Sequence, residues 1–315
     1  MDGFLEFYEQ SKQKDLFIIL GSQGAGTNLL ARFLVNVFDF SVIRDKALIF
    51  KAAIKVHRDH SAANIQRQLR RVYAETFPNA VTKVVYKQHH GKPFVGVDKY
   101  FEQANITTAK EFAYFFYAYS AYVAGKRHFA IKSDDIWEAI DALDTIFDCR
   151  KILLLTRDFR DNVLSVMHKN FGPRNVYSGS RYVKKRHNLY YNAYLRNPNH
   201  SLSVNYESLL TEPRQFIHAF ADTFDMPPSM PVEAAIQKLN LRSSNFKKWE
   251  REMSPEELLI CESIMHDELK RFDYALKNGT FIRFSPSQAL GHRMHDCVLR
   301  VPQKAKTTFQ KLFTD

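Results

Sequence analysis

The stretch Leu16-Phe-Ile-Ile-Leu20-Gly21-Ser-Gln-Gly24-Ala-Gly26-Thr27-Asn28 decides the fold. Its first five residues are a short apolar run bounded by Asp15 and Gly21, the pattern of a strand buried on both faces. From Asn28 to Phe38, Leu29, Leu30, Phe33, Leu34 and Val37 recur at helical spacing. The loop between strand and helix is rich in glycine, although the chain of 315 residues has only 11 glycines and three of them fall here. Glycines let a backbone approach an anion closely, and the helix start offers unpaired N–H groups and a positive dipole end. Successive N–H groups in such a turn form an anion nest, and Thr27 and Asn28 add side-chain donors. Gly24, Ala25, Gly26, Thr27 and Asn28 are therefore candidate phosphate-binding residues. The spacing is that of a phosphate-binding P-loop, but Thr27 stands where a nucleotidase carries lysine, which argues against a P-loop kinase.

Outward from this unit, strand and helix alternate. Residues 83–86, 129–132, 152–156 and 202–205 read as further strands; 136–147, 159–168 and 214–224 read as helices. The aromatic run from Phe112 to Ala124 is too short to span a bilayer and reads as a buried helix. Pro227-Pro228-Ser229-Met230-Pro231 reads as a loop between helices. The expected fold is α/β: a three-layer, P-loop-like architecture with a central parallel sheet flanked by helices. Ligands then bind at the carboxyl ends of the strands.

Arg157 follows the strand ending at Thr156, and Ser165 lies eight residues on, inside the next helix. The arginine fork and the serine hydroxyl suit a second phosphate group, though a salt-bridge cluster of Arg157, Asp158, Arg160 and Asp161 is an equally ordinary helix start. Composition narrows the partners. There are 45 Lys+Arg against 34 Asp+Glu, a net charge of +11. No zinc-finger spacing or RNA-binding aromatic motif accompanies it, so a small polyanion explains the charge better than nucleic acid. Three cysteines, odd in number and far apart, exclude a disulfide scaffold. No basic segment precedes an apolar run at the start, so a signal peptide is not expected and a cytoplasmic location is.

The order of these motifs resembles the sulfotransferase family, its bacterial and Golgi-type members most. Gly21-Ser-Gln-Gly-Ala-Gly-Thr-Asn-Leu-Leu30 is similar to the family's 5′-phosphosulfate loop. Arg157 and Ser165 match its 3′-phosphate pair, and Asn205-Tyr206-Glu207-Ser-Leu-Leu210 its Tyr-Glu-x-Leu segment, whose tyrosine lies near the adenine. Ala130-Ile-Lys132-Ser133-Asp134 and the run from Phe246 to Glu257 resemble two further segments of bacterial members. The resemblance covers roughly residues 14–276. It implies an enzyme that takes a sulfuryl group from 3′-phosphoadenosine 5′-phosphosulfate (PAPS) to an acceptor hydroxyl, leaving adenosine 3′,5′-bisphosphate (PAP), with a carbohydrate or glycolipid as the expected acceptor. Residues 1–277 would form the sulfotransferase domain, and residues 278–315 a basic C-terminal extension.

One departure matters. The family's loop carries Lys or Arg where this chain has Gly24-Ala25. A nucleotide-binding member with weak or no transfer activity is the alternative this raises. Lys132 is the first candidate for the missing cation, ahead of Lys46 and Lys55. For the base, the family's acidic position counted from Gly24 falls on Asp45, with His57, His89 and His90 as alternatives. Lys248, with Arg242, Lys247 and Arg251, stands where basic side chains would close over the phosphates. Tyr206 would stack on the adenine or serve as a core tyrosine. No metal site is expected. The extension carries Arg283, Arg293, Arg300, Lys304, Lys306 and Lys311 against Asp296 and Asp315; peripheral membrane contact and a homo-oligomer stay open, and no transmembrane segment is read.

Overall fold

The computed structural model of the chain describes residues 3–43, 48–76, 100–101, 103–133, 135–147, 150–239, 241 and 246–312. It opens with α1 (Gly3–Ser11), β1 (Leu16–Leu20), α2 (Thr27–Val37), β2 (Phe40–Ile43), α3 (Leu48–Arg58), α4 (Ala62–Thr76) and α5 (Ala109–Val123). After β3 (His128–Lys132) come a 3-10 helix (Ile136–Ala142), α6 (Leu143–Ile146), β4 (Arg150–Thr156), α7 (Phe159–Met167) and α8 (Val176–Leu195). Then follow β5 (Ser201–Asn205), α9 (Tyr206–Thr211), α10 (Pro213–Phe224), α11 (Val232–Leu239), α12 (Trp249–Glu252), α13 (Pro255–Arg271) and α14 (Pro286–Leu312).

The five strands form one all-parallel sheet in the order β2-β3-β1-β4-β5. Its faces explain why β1 is apolar throughout. Leu16, Ile18 and Leu20 pack with α1, α3 and α5 on one side; Phe17 and Ile19 pack with α2, α10 and α11 on the other. Both faces of the sheet are covered, so the two-residue alternation of a strand is invisible in the sequence. A third cluster joins α7, α8 and α13. The chain leaves β1 toward β2 and β3 on one side and later returns to β4 on the other, so the crevice at the carboxyl end of β1 is the topological switch point.

Helix α5 is buried on nearly every side, as the aromatic run implied. Its start is a capping box of Thr108 and Glu111. Tyr8 donates to Glu111 O, and Tyr114 to Lys14 O, so two buried phenols are satisfied. The expected strand 83–86 lies outside the described residues. The expected helix 136–147 is instead a 3-10 helix followed by a single α-turn; its N-cap Asp135 makes no side-chain cap bond to set an α-helical start. Residues 278–285 are tied to the body: Asn278 N donates to Glu262, and Ile282 N to Ser263 Oγ.

His187, on α8, sits between the rings of Phe159 (4.7 Å) and Phe272 (5.1 Å), with no hydrogen-bond partner for Nε2. Burial, and after it the Arg271 charge, pushes its pKa down to about 3. The unfolded chain therefore takes up a proton near pH 6.5 that the folded chain refuses until about pH 3. Stability is complete above pH 6.5 and falls as the pH drops through that window. Urea unfolding should show a His187 contribution to the loss between pH 7 and pH 5 of about 2 kcal/mol. In His187→Leu that part of the acid loss disappears; an unchanged acid limb would show that the imidazole charges in place.

Candidate functional site

The glycine loop leaves β1 at the switch point and enters α2 through Gly26, in the left-handed region at φ 100°. Helix α2 has no side-chain cap. Among the described residues, the N–H groups of Gly26, Thr27 and Asn28 donate to no protein group. They form an open donor set at a positive helix end. The loop's shape is fixed by protein contacts. A side chain at Gly24, which has φ 89°, would stand 2.8 Å from Ser165 Oγ and from Asn162 Nδ2. One at Gly26 would enter the Tyr206 ring, and one at Gly21 would meet Thr27 and Leu155. These glycines serve first to press the loop onto its own walls.

Arg157 and Ser165 both converge on Gly24. Arg157 Nη1 donates to Gly24 O at 3.0 Å, Nη2 pairs with Asp161 at 3.3 Å, and the guanidinium lies 4.8 Å from the Tyr206 ring centre. Arg157 is 7% exposed. Ser165 is half-buried against Gly24, and its hydroxyl bonds to no described residue. Asn162, one turn into α7, receives the Ser22 hydroxyl and donates to Gln23 O at 2.6 Å. Tyr206 is 7% exposed, with Gly26 against its ring and the Arg157 guanidinium beside it.

Beneath this set lies a polar network. Arg160, 3% exposed, holds Asp158 with two bonds, Glu262 at 2.7 Å and Ala275 O at 3.0 Å, and stacks 3.8 Å from the Trp249 ring centre. Trp249 gives its Nε1–H to Asp158 and its backbone N–H to Asp161. Glu207 accepts from Asp158 N and from the Tyr274 hydroxyl, which in turn accepts from Asn205. Burial pushes Asp161 and Glu207 upward despite their donors. Burial also acts upward on Glu262, but the N–H groups of Lys277 and Asn278 and the Arg160 fork outweigh it and hold the carboxyl below its usual range. Thus Tyr206-Glu207, Trp249 and Tyr274, far apart in sequence, close round the helix start that carries Arg157.

Lys132, 9% exposed, ends β3 in register with Ile19, beside the strand that feeds the loop. Lys248 is half-buried at the N-cap of α12, next to the Trp249 N–H that binds Asp161. His57 is exposed in the last turn of α3, about 14 Å along the helix from its start. Asp45, Lys46, His89, His90 and Arg242 lie outside the described residues. Among the described residues no group of three or more His, Cys, Asp or Glu could hold a metal ion. No helix among them is long and apolar enough to cross a membrane.

The sequence did not single out Arg186. Its guanidinium stacks 3.6 Å from the ring centre of Tyr182 and 4.5 Å from that of Trp137. Its Nε is buried without a partner, and it makes no ion pair among the described residues. Tyr182 in turn donates to Gln23 Oε1 in the glycine loop. A cation on two aromatic rings is therefore one side chain away from the loop. The i,i+4 spacing of Tyr182 and Arg186 on a helix was its only signal.

Comparison with known proteins adds three findings. In sequence, residues 16–229 match the model of the family described as the sulfotransferase family. No curated protein matches the chain. In structure, the chain is similar to the sulfotransferase domain from the curacin biosynthetic pathway, with TM-score 0.54, 16% identity and coverage of 84% of this chain and 99% of that one. It also matches sulfotransferase STF9 from Mycobacterium avium (TM-score 0.47, 12% identity, 84% and 78% covered). A third match is the sulfotransferase domain of the Synechococcus PCC 7002 olefin synthase (0.46, 14%, 89% and 93%). The first of these likenesses shows a shared fold, and the family match extends over the glycine loop, Arg157, Ser165 and Tyr206 alike. The chain belongs to the sulfotransferase family.

Proposed function

We propose that the protein moves a sulfuryl group from PAPS to an acceptor hydroxyl, on a carbohydrate or glycolipid. The observation that carries this reading is the convergence of Arg157 and Ser165 on Gly24, beside the open N–H groups of Gly26, Thr27 and Asn28. One site thus offers two sets of anion donors, which suits a nucleotide with phosphate at both its 3′ and 5′ positions. The donor nucleotide supplies the activated sulfuryl group. The N–H groups at the α2 start would hold its 5′ end; Ser165 and Arg157 would hold the 3′-phosphate, with Lys248 at the rim. Asp161 and Gly24 O keep the Arg157 fork oriented before any ligand arrives.

Transfer requires charge on the equatorial and leaving oxygens to be neutralised. The loop cannot carry the family's cation, because Ser165 and Asn162 fill the space where a side chain at position 24 would begin. Arg186 takes this role in our reading, with Lys132, on β3 beside β1, as the second cation. Asp45 is the proposed base, its task being to accept the acceptor's hydroxyl proton. The same glycine favours a second reading, a member that binds the nucleotide without transfer; PAP release in the presence of hydroxyl acceptors separates the two.

Four measurements test these assignments. In a thermal-shift assay the protein should rise in melting temperature with PAP and little with AMP. Arg157→Ala should weaken PAP binding about 10- to 100-fold, the worth of a charged hydrogen bond, and remove the preference over AMP. A variant that still discriminates would place the 3′-phosphate elsewhere. Arg186→Gln should lower kcat by about 100-fold or more while PAP affinity stays near wild type; undiminished turnover would remove Arg186 from the chemistry. Gly24→Arg, which installs the family's usual residue type, should lower stability by about 1–3 kcal/mol and abolish PAP binding rather than raise activity. A functional Gly24→Arg enzyme would show that the loop can open.

A further inference from the structure

Helix α14 packs only one side against the body. His292 stacks on Tyr177 at 4.6 Å and its carbonyl accepts from Asn175; Asp296 accepts from Arg174 N and pairs with Arg300 at 2.8 Å. The opposite face carries Leu290, Met294 and Val298, each four residues from the next, exposed by 57%, 61% and 67%. Of the eight large apolar side chains exposed among the described residues, four lie on this helix, with Leu299 the fourth. A fifth, Phe171, stands in the turn that Arg174 fastens to Asp296. Such concentration marks an interaction face rather than scattered surface residues.

The flank of the same helix is basic and concave. A cavity of about 480 Å³ lies between α8, α13 and α14, with Arg181, Lys184, Lys185 and Arg293 round walls of Tyr177 and Phe284. Lys184 is neutralised by Glu268 at 3.0 Å. Arg181, Lys185 and Arg293 have no ion pair among the described residues. Beyond Arg300 the sequence adds Lys304, Lys306 and Lys311, with one acidic residue, Asp315, at its end.

We infer that this face binds an anionic phospholipid surface, with α14 lying in the interface and the basic cavity receiving a phosphorylated headgroup. An amphipathic helix with an apolar stripe and cationic flanks is the form that lies in a bilayer interface. Charge selects the lipid over a second copy of the chain: pairing two such faces would bring Arg181, Lys185 and Arg293 against their own kind on a protein already at +11. The inference is separate from sulfuryl transfer and holds or fails without it.

The test is co-sedimentation of the full chain with vesicles of phosphatidylcholine alone and with phosphatidylserine added. The wild type should pellet with the anionic vesicles about tenfold more strongly than with the neutral ones, and added salt should weaken this. Leu290→Gln/Met294→Gln/Val298→Gln should reduce binding to background with the charge unchanged. Arg181→Gln/Lys185→Gln/Arg293→Gln should erase the preference for phosphatidylserine. All these positions are at the surface, and an unchanged circular-dichroism melt confirms that both variants fold. Absence of wild-type binding to anionic vesicles would overturn the inference, as would binding that both variants retain. A dimer in light scattering that the apolar variant dissolves, without vesicle binding, would assign the face to a second copy.

Discussion

Arg160 is the residue on which the site depends. Its guanidinium is buried, and a buried arginine persists only where its donors and charge are met. Here Asp158 comes from its own helix start, Glu262 from α13, Ala275 O from the chain beyond α13, and Trp249 from α12. One side chain thus fastens the C-terminal helices to the turn that carries Arg157. Removing one partner of such a pair leaves a buried charge exposed to no compensation, at a cost of about 3–5 kcal/mol. The geometry of Arg157 is in this sense set by residues about a hundred positions away.

The glycine loop shows a second consequence of close packing. Its N–H groups at the α2 start have no acceptor among the described residues, while its glycines face Leu155, Ser165, Asn162 and Tyr206. Loop and α7 have become so close that no side chain fits between them. A side chain at Gly24 would clash with Ser165 and Asn162 and hold a strained φ, and a cation on another helix, Arg186, is held on Tyr182 and Trp137.

Much of this was legible in the sequence. The strand, loop and helix from Leu16 to Val37 needed only local rules, since an apolar run, clustered glycines and helical spacing agree there. The spacing of Arg157 and Ser165 placed both at one strand end for the same reason. Helix α8 escaped notice because it is amphipathic in an unusual way: Tyr177, Val183, His187 and Tyr190 are buried, but tyrosines, lysines and arginines crowd the remaining positions and blur the period. Strand β2, four residues long, gave too short a pattern to separate from the loop around it. His57 was named on residue type alone; its exposure in the last turn of α3 could be read only from the structure.

The sequence by itself determined the class of fold, the place of the glycine loop and the family, because each rests on contacts between near neighbours and on residue types at fixed spacing. Only the tertiary structure decided the order of the strands, the burial of Tyr206 and the union of Asp158, Arg160, Trp249, Glu207 and Glu262 into one network. It also decided which rings Arg186 stacks on and which face of α14 is left uncovered. These depend on which distant segments meet. A one-dimensional pattern records the propensity of each segment but not the partner that fills the space beside it.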